Sequence, residues 1–207
     1  MDKTILRQLI KRQNPVILEL GAHHGEDSAN FRAMYPNGDL FLFEPDKRCI
    51  QIIKDLGLGF QLYEGVMSDV DGEVLFHASG TKGKSSGDGS GSIMLPSKHI
   101  EYFPAIPFID DYMVNSVTLR TFMLWNQLPF IDFIWADVQG AEERIIMGGL
   151  EEFNTKVGVL FTEYCQEELY VGAPKRERIM DLLPAFDVVY DVGSNVCGDM
   201  LLVNRNF

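Results

Sequence analysis

Two kinds of apolar pattern alternate along this chain. Compact runs such as "VILEL" (Val16–Leu20), "DLFLFE" ending at Glu44, "FQLYEGVMSD", "IDFIWA" (Ile131–Ala136) and "KVGVLFTEY" place apolar side chains on both faces of an extended backbone. Between them lie stretches whose apolar positions recur every three to four residues: about 27–35, the residues after Pro45, "VTLRTFMLWNQL", the run from about Gly140, and "KRERIMDLLPAF". Short apolar runs bounded by turn residues suit buried strands, and the longer period suits helices packed on them. Their alternation predicts an α/β fold, a mainly parallel sheet with helices on both faces. "GEVLFHAS" alternates apolar and polar residues and is expected to pair antiparallel with the third strand. "DVVYDV" and "CGDMLLVN" are expected to form a hairpin at the sheet edge. The opening residues, 3–13, read as a short amphipathic helix ended by Pro15.

One segment breaks the pattern. Ser79 to Ser92, "SGTKGKSSGDGSGS", is almost all glycine, serine and charge, and is expected to be a flexible surface loop or a lid. "SIMLPSKHIEYFPAIPFIDDYM" has apolar patches without a clean period and reads as irregular. Neither a repeat nor a linker divides residues 1–207, so one domain is expected.

Composition narrows the function. Lys and Arg number 18 against 30 Asp and Glu, a net charge of −12, which disfavours nucleic acid as a partner. No apolar run approaches the ~20 residues of a membrane span, and no secretory signal is evident. Cys49, Cys165 and Cys197 show no metal-type spacing and leave an odd thiol, which suits a reducing cytoplasm; no metal centre is expected.

The first strand ends in "LELGAHHG", where Gly21 and Gly25 bracket Ala22, His23 and His24. This is a strand-to-helix turn of the kind that binds nucleotides. A dinucleotide fold wants a glycine in the middle, where its backbone meets a diphosphate, and here His23 stands there. Glu19 just before the turn repels phosphate and attracts an ammonium or a sulfonium. The turn therefore suits S-adenosylmethionine, with Ala22, His23 and Ser28 as its neighbours. Glu44, followed by Pro45, comes close to the ~20-residue interval at which an acid accepts the two ribose hydroxyls. Asp69, beside Ser68 after the third strand, is a candidate for the adenine amino group. Asp137 ends the fourth of the compact runs and faces the same crevice.

Together "LELGAHHGEDSANF", "FLFEPD", "VMSDVDGEV", "IDFIWADVQGAEERIIMGG" and "FTEYCQEELY" resemble the FkbM-type family of S-adenosylmethionine-dependent methyltransferases. The family commonly carries a lysine before its Asp-x-Glu/Gln-Gly-Ala-Glu run, and this chain has Trp135. Relatives often have an amide and an acid where His23 and His24 stand. The resemblance implies a class I methyltransferase, Rossmann-like sheet with a reversed last strand. It also implies O-methylation of a sugar or natural-product hydroxyl, a small-molecule or glycan acceptor as partner. An alcohol needs a base as it attacks. The candidates are Asp137, Glu142, Glu163 and His24, with His99 behind them. Two alternatives stay open: a nicotinamide-dependent oxidoreductase, and a protein that binds the cofactor without catalysis.

Overall fold

A computed structural model describes residues 3–81 and 87–207. Nine strands form one sheet. They are β1 (Val16–Leu20), β2 (Asp39–Glu44), β3 (Gln61–Met67), β4 (Gly72–Ser79), β5 (Phe108–Val117), β6 (Ile131–Ala136), β7 (Val157–Cys165), β8 (Phe186–Gly193) and β9 (Cys197–Asn204). Their order is β4-β5-β3-β2-β1-β6-β7-β9-β8. β9 runs against β7 and β8, and β4 runs against β5, while the remaining pairs are parallel. The expected α/β class and reversed last strand are both present.

Strand alternation decides which side chains meet which helices. Ile17, Phe133, Trp135, Val159 and Phe161 point to one face and pack with Leu6 and Ile10 and with Phe31 of α2. That face carries α1 (Leu6–Leu9), α2 (Glu26–Met34) and α3 (Lys47–Leu56). Leu18, Leu20, Phe43, Ile134, Ala136 and Leu160 point the other way. They meet Phe122 of α5 (Leu119–Trp125), Ile145 of α6 (Glu142–Met147), Phe153 of α7 (Leu150–Lys156) and Ile179 of α8 (Arg176–Leu182). A short α4 (His99–Tyr102) lies between β4 and β5 in sequence. Burying each large apolar side chain contributes about 1.5–3 kcal/mol, so the central strands, buried on both faces, anchor the sheet.

Three expectations need correction. The opening helix stops at Leu9, and Ile10 is already extended, with no helix to residue 13. "FIDDYMVNSV" is a ten-residue strand, β5, where irregular chain was expected. β4 consequently pairs antiparallel with β5, and β5 is what lies beside β3, through Gly65–Met67. β5 was hidden because its exposed half carries Asp110 and Asp111, which blur the apolar alternation.

Candidate active site

The site forms where β1, β2 and β6 end side by side. Glu19 lies opposite Leu42 and Trp135, and Leu20 opposite Phe43 and Ala136, so three strand ends open at one level. The chain then turns sharply. The Gly21 and Ala22 N–H groups both donate to the Phe43 carbonyl, each at 3.0 Å, and the Asp137 N–H donates to the Leu20 carbonyl. Gly21 has φ +82°, and a Cβ there would lie 2.1 Å from the Asp137 carbonyl oxygen. Only glycine lets the two turns approach this closely. His23 also takes a left-handed backbone, φ +50°, which costs a side-chain-bearing residue free energy and is found at functional sites. It replaces the usual middle glycine because its own groups are used. Its N–H donates to Glu44 Oε2 at 2.7 Å, and its ring turns to Asp88.

These strand ends border a cleft of about 320 Å³. Of the predicted cofactor residues, Glu19, Gly21, Ala22, His23, Glu44, Pro45 and Asp137 line it. Glu44 is held by two backbone donors, His23 N–H on one oxygen and Asp46 N–H (2.8 Å) on the other. Burial still pushes its carboxyl up to about 8. Glu19 is buried and accepts a 2.5 Å hydrogen bond from the Ser28 hydroxyl; burial raises it well above the ordinary carboxylate range. Ser28 thus positions Glu19 from behind, and Gly25, which precedes α2, stands back from the cleft in the same way. Trp135 forms part of the cleft wall and stacks on Phe161 with ring centroids 3.7 Å apart.

Asp69 and Ser68 do not line the cleft. Arg144 in α6 draws the Asp69 carboxylate into an ion pair at 2.7 Å, and Ser68 donates to it as well. Burial pushes Asp69 up, but these donors outweigh it and hold it below the usual range. In the structure this pair ties the β3–β4 turn to α6.

The candidate reacting end gathers around a residue the sequence reading left aside. Gln139 Nε2 donates to Asp137 Oδ1 (2.7 Å) and to Glu163 Oε2 (3.2 Å), while its Oε1 lies 3.1 Å from the Tyr170 hydroxyl. Its backbone is left-handed, φ +55°. Asp137 and Glu163 also share a hydrogen bond, and burial raises both, with the Asp137 charge adding to the rise at Glu163. The two form one buried acid pair, each biased toward its protonated form. Glu142 was expected to reach this crevice. It instead points beneath the turn, with Oε1 accepting from the Gly140 N–H at 3.4 Å. Burial raises its carboxyl to about 7, and its Oε2 has no hydrogen-bond partner among the described residues. His24 does not line the cleft either; its ring lies against Asp88 and stacks on His23. His99 is buried against Phe103, Phe108 and Tyr170.

Asp88 is the main residue that sequence reasoning missed. It belongs to the glycine- and serine-rich segment expected to stay at the surface, yet it is buried, with oxygens 3.0 Å from His23 Nε2 and 3.1 Å from His24 Nε2. Ser92 is buried too, bridges to His77 through the backbone, and donates its hydroxyl to the Gln139 carbonyl. Residues 87–92 thus cover the cleft, and Asp88, Gly89, Gly91 and Ser92 line it. Of the segment Ser79–Ser92 expected as a flexible surface loop or a lid, residues 87–92 lie over the cleft, and residues 82–86 lie outside the described residues. The misleading signal was composition: a lone acid among glycines looks solvated unless its partners, far away in sequence, are known.

The sheet order, the reversed β9 and a cleft at the strand ends define a class I methyltransferase fold. Solved structures agree at the level of fold. A methyltransferase FkbM from Methylobacillus flagellatus aligns with a TM-score of 0.57 at 11% identity, over 91% of this chain but only 44% of that one. The N-terminal domain of EvdMO1 with SAH bound aligns at 0.51 and 13% identity, covering 98% of this chain and 78% of that one. Residues 19–192 match the methyltransferase FkbM domain, and the chain belongs to that family. It is 37% identical over 201 residues to the 2-O-methyltransferase NoeI of Sinorhizobium fredii, covering 95% of this chain and 82% of NoeI. No helix among the described residues is long and apolar enough to cross a membrane.

Proposed function

We propose that the protein binds S-adenosylmethionine in this cleft and transfers its methyl group to a hydroxyl of a saccharide or glycosylated small molecule. The observation that carries the reading is the charge of the cleft. Glu19, Glu26, Asp27, Glu44, Asp88 and Asp137 line it, and among the described residues no lysine or arginine does. Such a wall offers a diphosphate no cationic partner, whereas an approaching ammonium and sulfonium favour the ionised form of its carboxyls. Glu44, fixed by two backbone donors, keeps lone pairs free for two ribose hydroxyls. The 2-O-methyltransferase activity in the name of NoeI supports an alcohol oxygen as the acceptor.

In the reaction the acceptor oxygen attacks the methyl carbon as the carbon–sulfur bond breaks. S-adenosylhomocysteine leaves, and the hydroxyl proton passes to a base. Asp137 fits that base: it is the member of the pair that lines the cleft. Gln139 and Glu163 hold its orientation, and positioning of this sort supplies much of the rate in a displacement whose leaving group is already activated.

Calorimetry with S-adenosylmethionine, S-adenosylhomocysteine, NAD and NADP tests the cofactor, with the first two expected to bind and the last two not. Tighter binding of a nicotinamide would favour the oxidoreductase reading. Mass spectrometry of a glycan panel incubated with enzyme and S-adenosylmethionine tests the acceptor, a gain of one methyl group being expected. Cofactor binding without transfer to any member would favour a protein that binds only.

A further inference from the structure

At one wall of the cleft, four side chains to which the proposed methyl transfer assigns no proton or bond converge on one point. His23 and His24 come from the turn after β1, Cys49 from α3, and Asp88 from the segment that covers the cleft. One ligand atom from each lies within 4.8 Å of every other. Asp88 meets the other three with both oxygens: Oδ1 lies 3.0 Å from His23 Nε2, and Oδ2 lies 3.1 Å from His24 Nε2 and 3.7 Å from Cys49 Sγ. A tetrahedron of nitrogen, oxygen and sulfur drawn with ordinary zinc bond lengths has edges of roughly 3.3–3.6 Å. With all four ligand atoms within 4.8 Å of one another, the cluster closes on an ion by side-chain adjustment, one Asp88 oxygen turning to the metal.

We propose that His23, His24, Cys49 and Asp88 hold a zinc ion that clips residues 87–92 onto the cofactor turn. The donor set is that of a structural zinc site: two imidazoles, a thiol and a carboxylate, four protein ligands with no position left for water. Zinc with a thiolate and a carboxylate is neutral, which removes the cost of a charge where Cys49 and Asp88 are buried. The cluster is also arranged around the histidines as at known metal sites, where the far ring nitrogen meets a carboxylate. Glu26 Oε1 lies 3.5 Å from His23 Nδ1 and 3.7 Å from His24 Nδ1, on the side opposite Asp88. Coordination replaces the Cys49 proton, which leaves to solvent.

The energetic role follows from chain connectivity. The ligands span residues 23 to 88, so one ion closes two long loops, and its binding free energy becomes stability of the closed cleft. The two stacked rings, 3.7 Å apart, and the left-handed backbone of His23 would be set by the ion as much as by the turn.

The test uses tag-free full-length protein, loaded with zinc and dialysed against metal-free buffer. One retained zinc per chain by elemental mass spectrometry is expected. Asp88→Asn and Cys49→Ser should each weaken zinc binding by more than the ~10–100-fold typical of losing an outer partner, the loss expected for Glu26→Gln. Cobalt(II) exchanged into the unmodified protein should give an intense sulfur-to-metal charge-transfer band, a readout that does not depend on any variant folding. That band should vanish in Cys49→Ser and persist in Cys197→Ser. Zinc that dialyses away, equal retention by the ligand variants, or a cobalt spectrum without the sulfur band would each overturn the site. The cluster would then be only a hydrogen-bonded clasp.

Discussion

The two ends of the cleft handle buried carboxylates differently. At the cofactor end each acid is held singly by fixed donors, Glu44 by the His23 and Asp46 N–H groups and Glu19 by the Ser28 hydroxyl. At the other end Asp137 and Glu163 share one amide, that of Gln139, and a hydrogen bond between themselves. Singly held acids keep one geometry whatever the ligand does, which suits recognition. Acids that share a proton change state together, which suits proton transfer.

Substitutions at the two ends should therefore separate rate from affinity. The largest effect is expected of Asp137→Asn, which keeps the shape but removes the base. Single-turnover methyl transfer should fall by about 10²–10⁴, with S-adenosylhomocysteine affinity little changed. An affinity loss as large as the rate loss would mean that Asp137 binds cofactor rather than moving a proton, and the two ends would not differ in kind.

Glu44→Ala should do the reverse, weakening S-adenosylhomocysteine binding by about 1.5–3 kcal/mol in calorimetry, the worth of hydrogen bonds to a charged group. Turnover at saturating cofactor should change less. If stability falls while affinity holds, Glu44 serves only to fasten the His23 and Asp46 backbone.

A third comparison is between free and liganded protein across pH. Glu19, Glu44, Glu142 and Glu163 all have carboxyls raised by burial, Glu44 to about 8 and Glu142 to about 7. Between the unfolded value near 4.5 and these raised values the folded protein binds more protons than the unfolded chain, so stability falls as pH rises. Thermal scans of ligand-free protein should show the midpoint dropping from pH 5.5 to 8.5, each ~1 kcal/mol lowering it by about 2–4 °C. Bound S-adenosylhomocysteine should flatten the part of that drop just below pH 8, because ribose hydroxyls favour ionised Glu44 and lower its carboxyl from about 8. A midpoint that rises with pH would contradict the raised carboxyls.

The smallest effect is expected of Tyr170→Phe. The hydroxyl lies 2.9 Å from the Ser90 carbonyl and 3.1 Å from Gln139 Oε1, and its loss should cost about 0.5–1.5 kcal/mol. The rate should drop a few-fold through looser orientation of Gln139, with cofactor affinity preserved. Equal losses in both would place Tyr170 under the cofactor end instead.

Much of this was written locally. The apolar runs fixed β1, β2, β6 and β7, and the residues at their ends supplied Gly21, Glu44 and Asp137, because a strand end and the residue that closes it are neighbours in sequence. The half of the cleft proposed to hold the cofactor was legible for that reason. The amide at Gln139 was not singled out, because its value lies in joining Asp137 to Glu163 and Tyr170, residues 24 and 31 positions away. β5 and the partners of β4 were likewise decided by pairing across the sheet.

The charge of the cleft, its opening at the ends of parallel strands and the turn that needs Gly21 were thus determined by the sequence alone. The burial of Asp88, its meeting with His23, His24 and Cys49, and the retreat of Asp69 to Arg144 and of Glu142 beneath its turn were decided only in three dimensions. The physical reason is range. Periodicity and turn chemistry act over a few residues, whereas a carboxylate's role depends on which donors reach it, and here those donors come from elements 39 to 75 residues away.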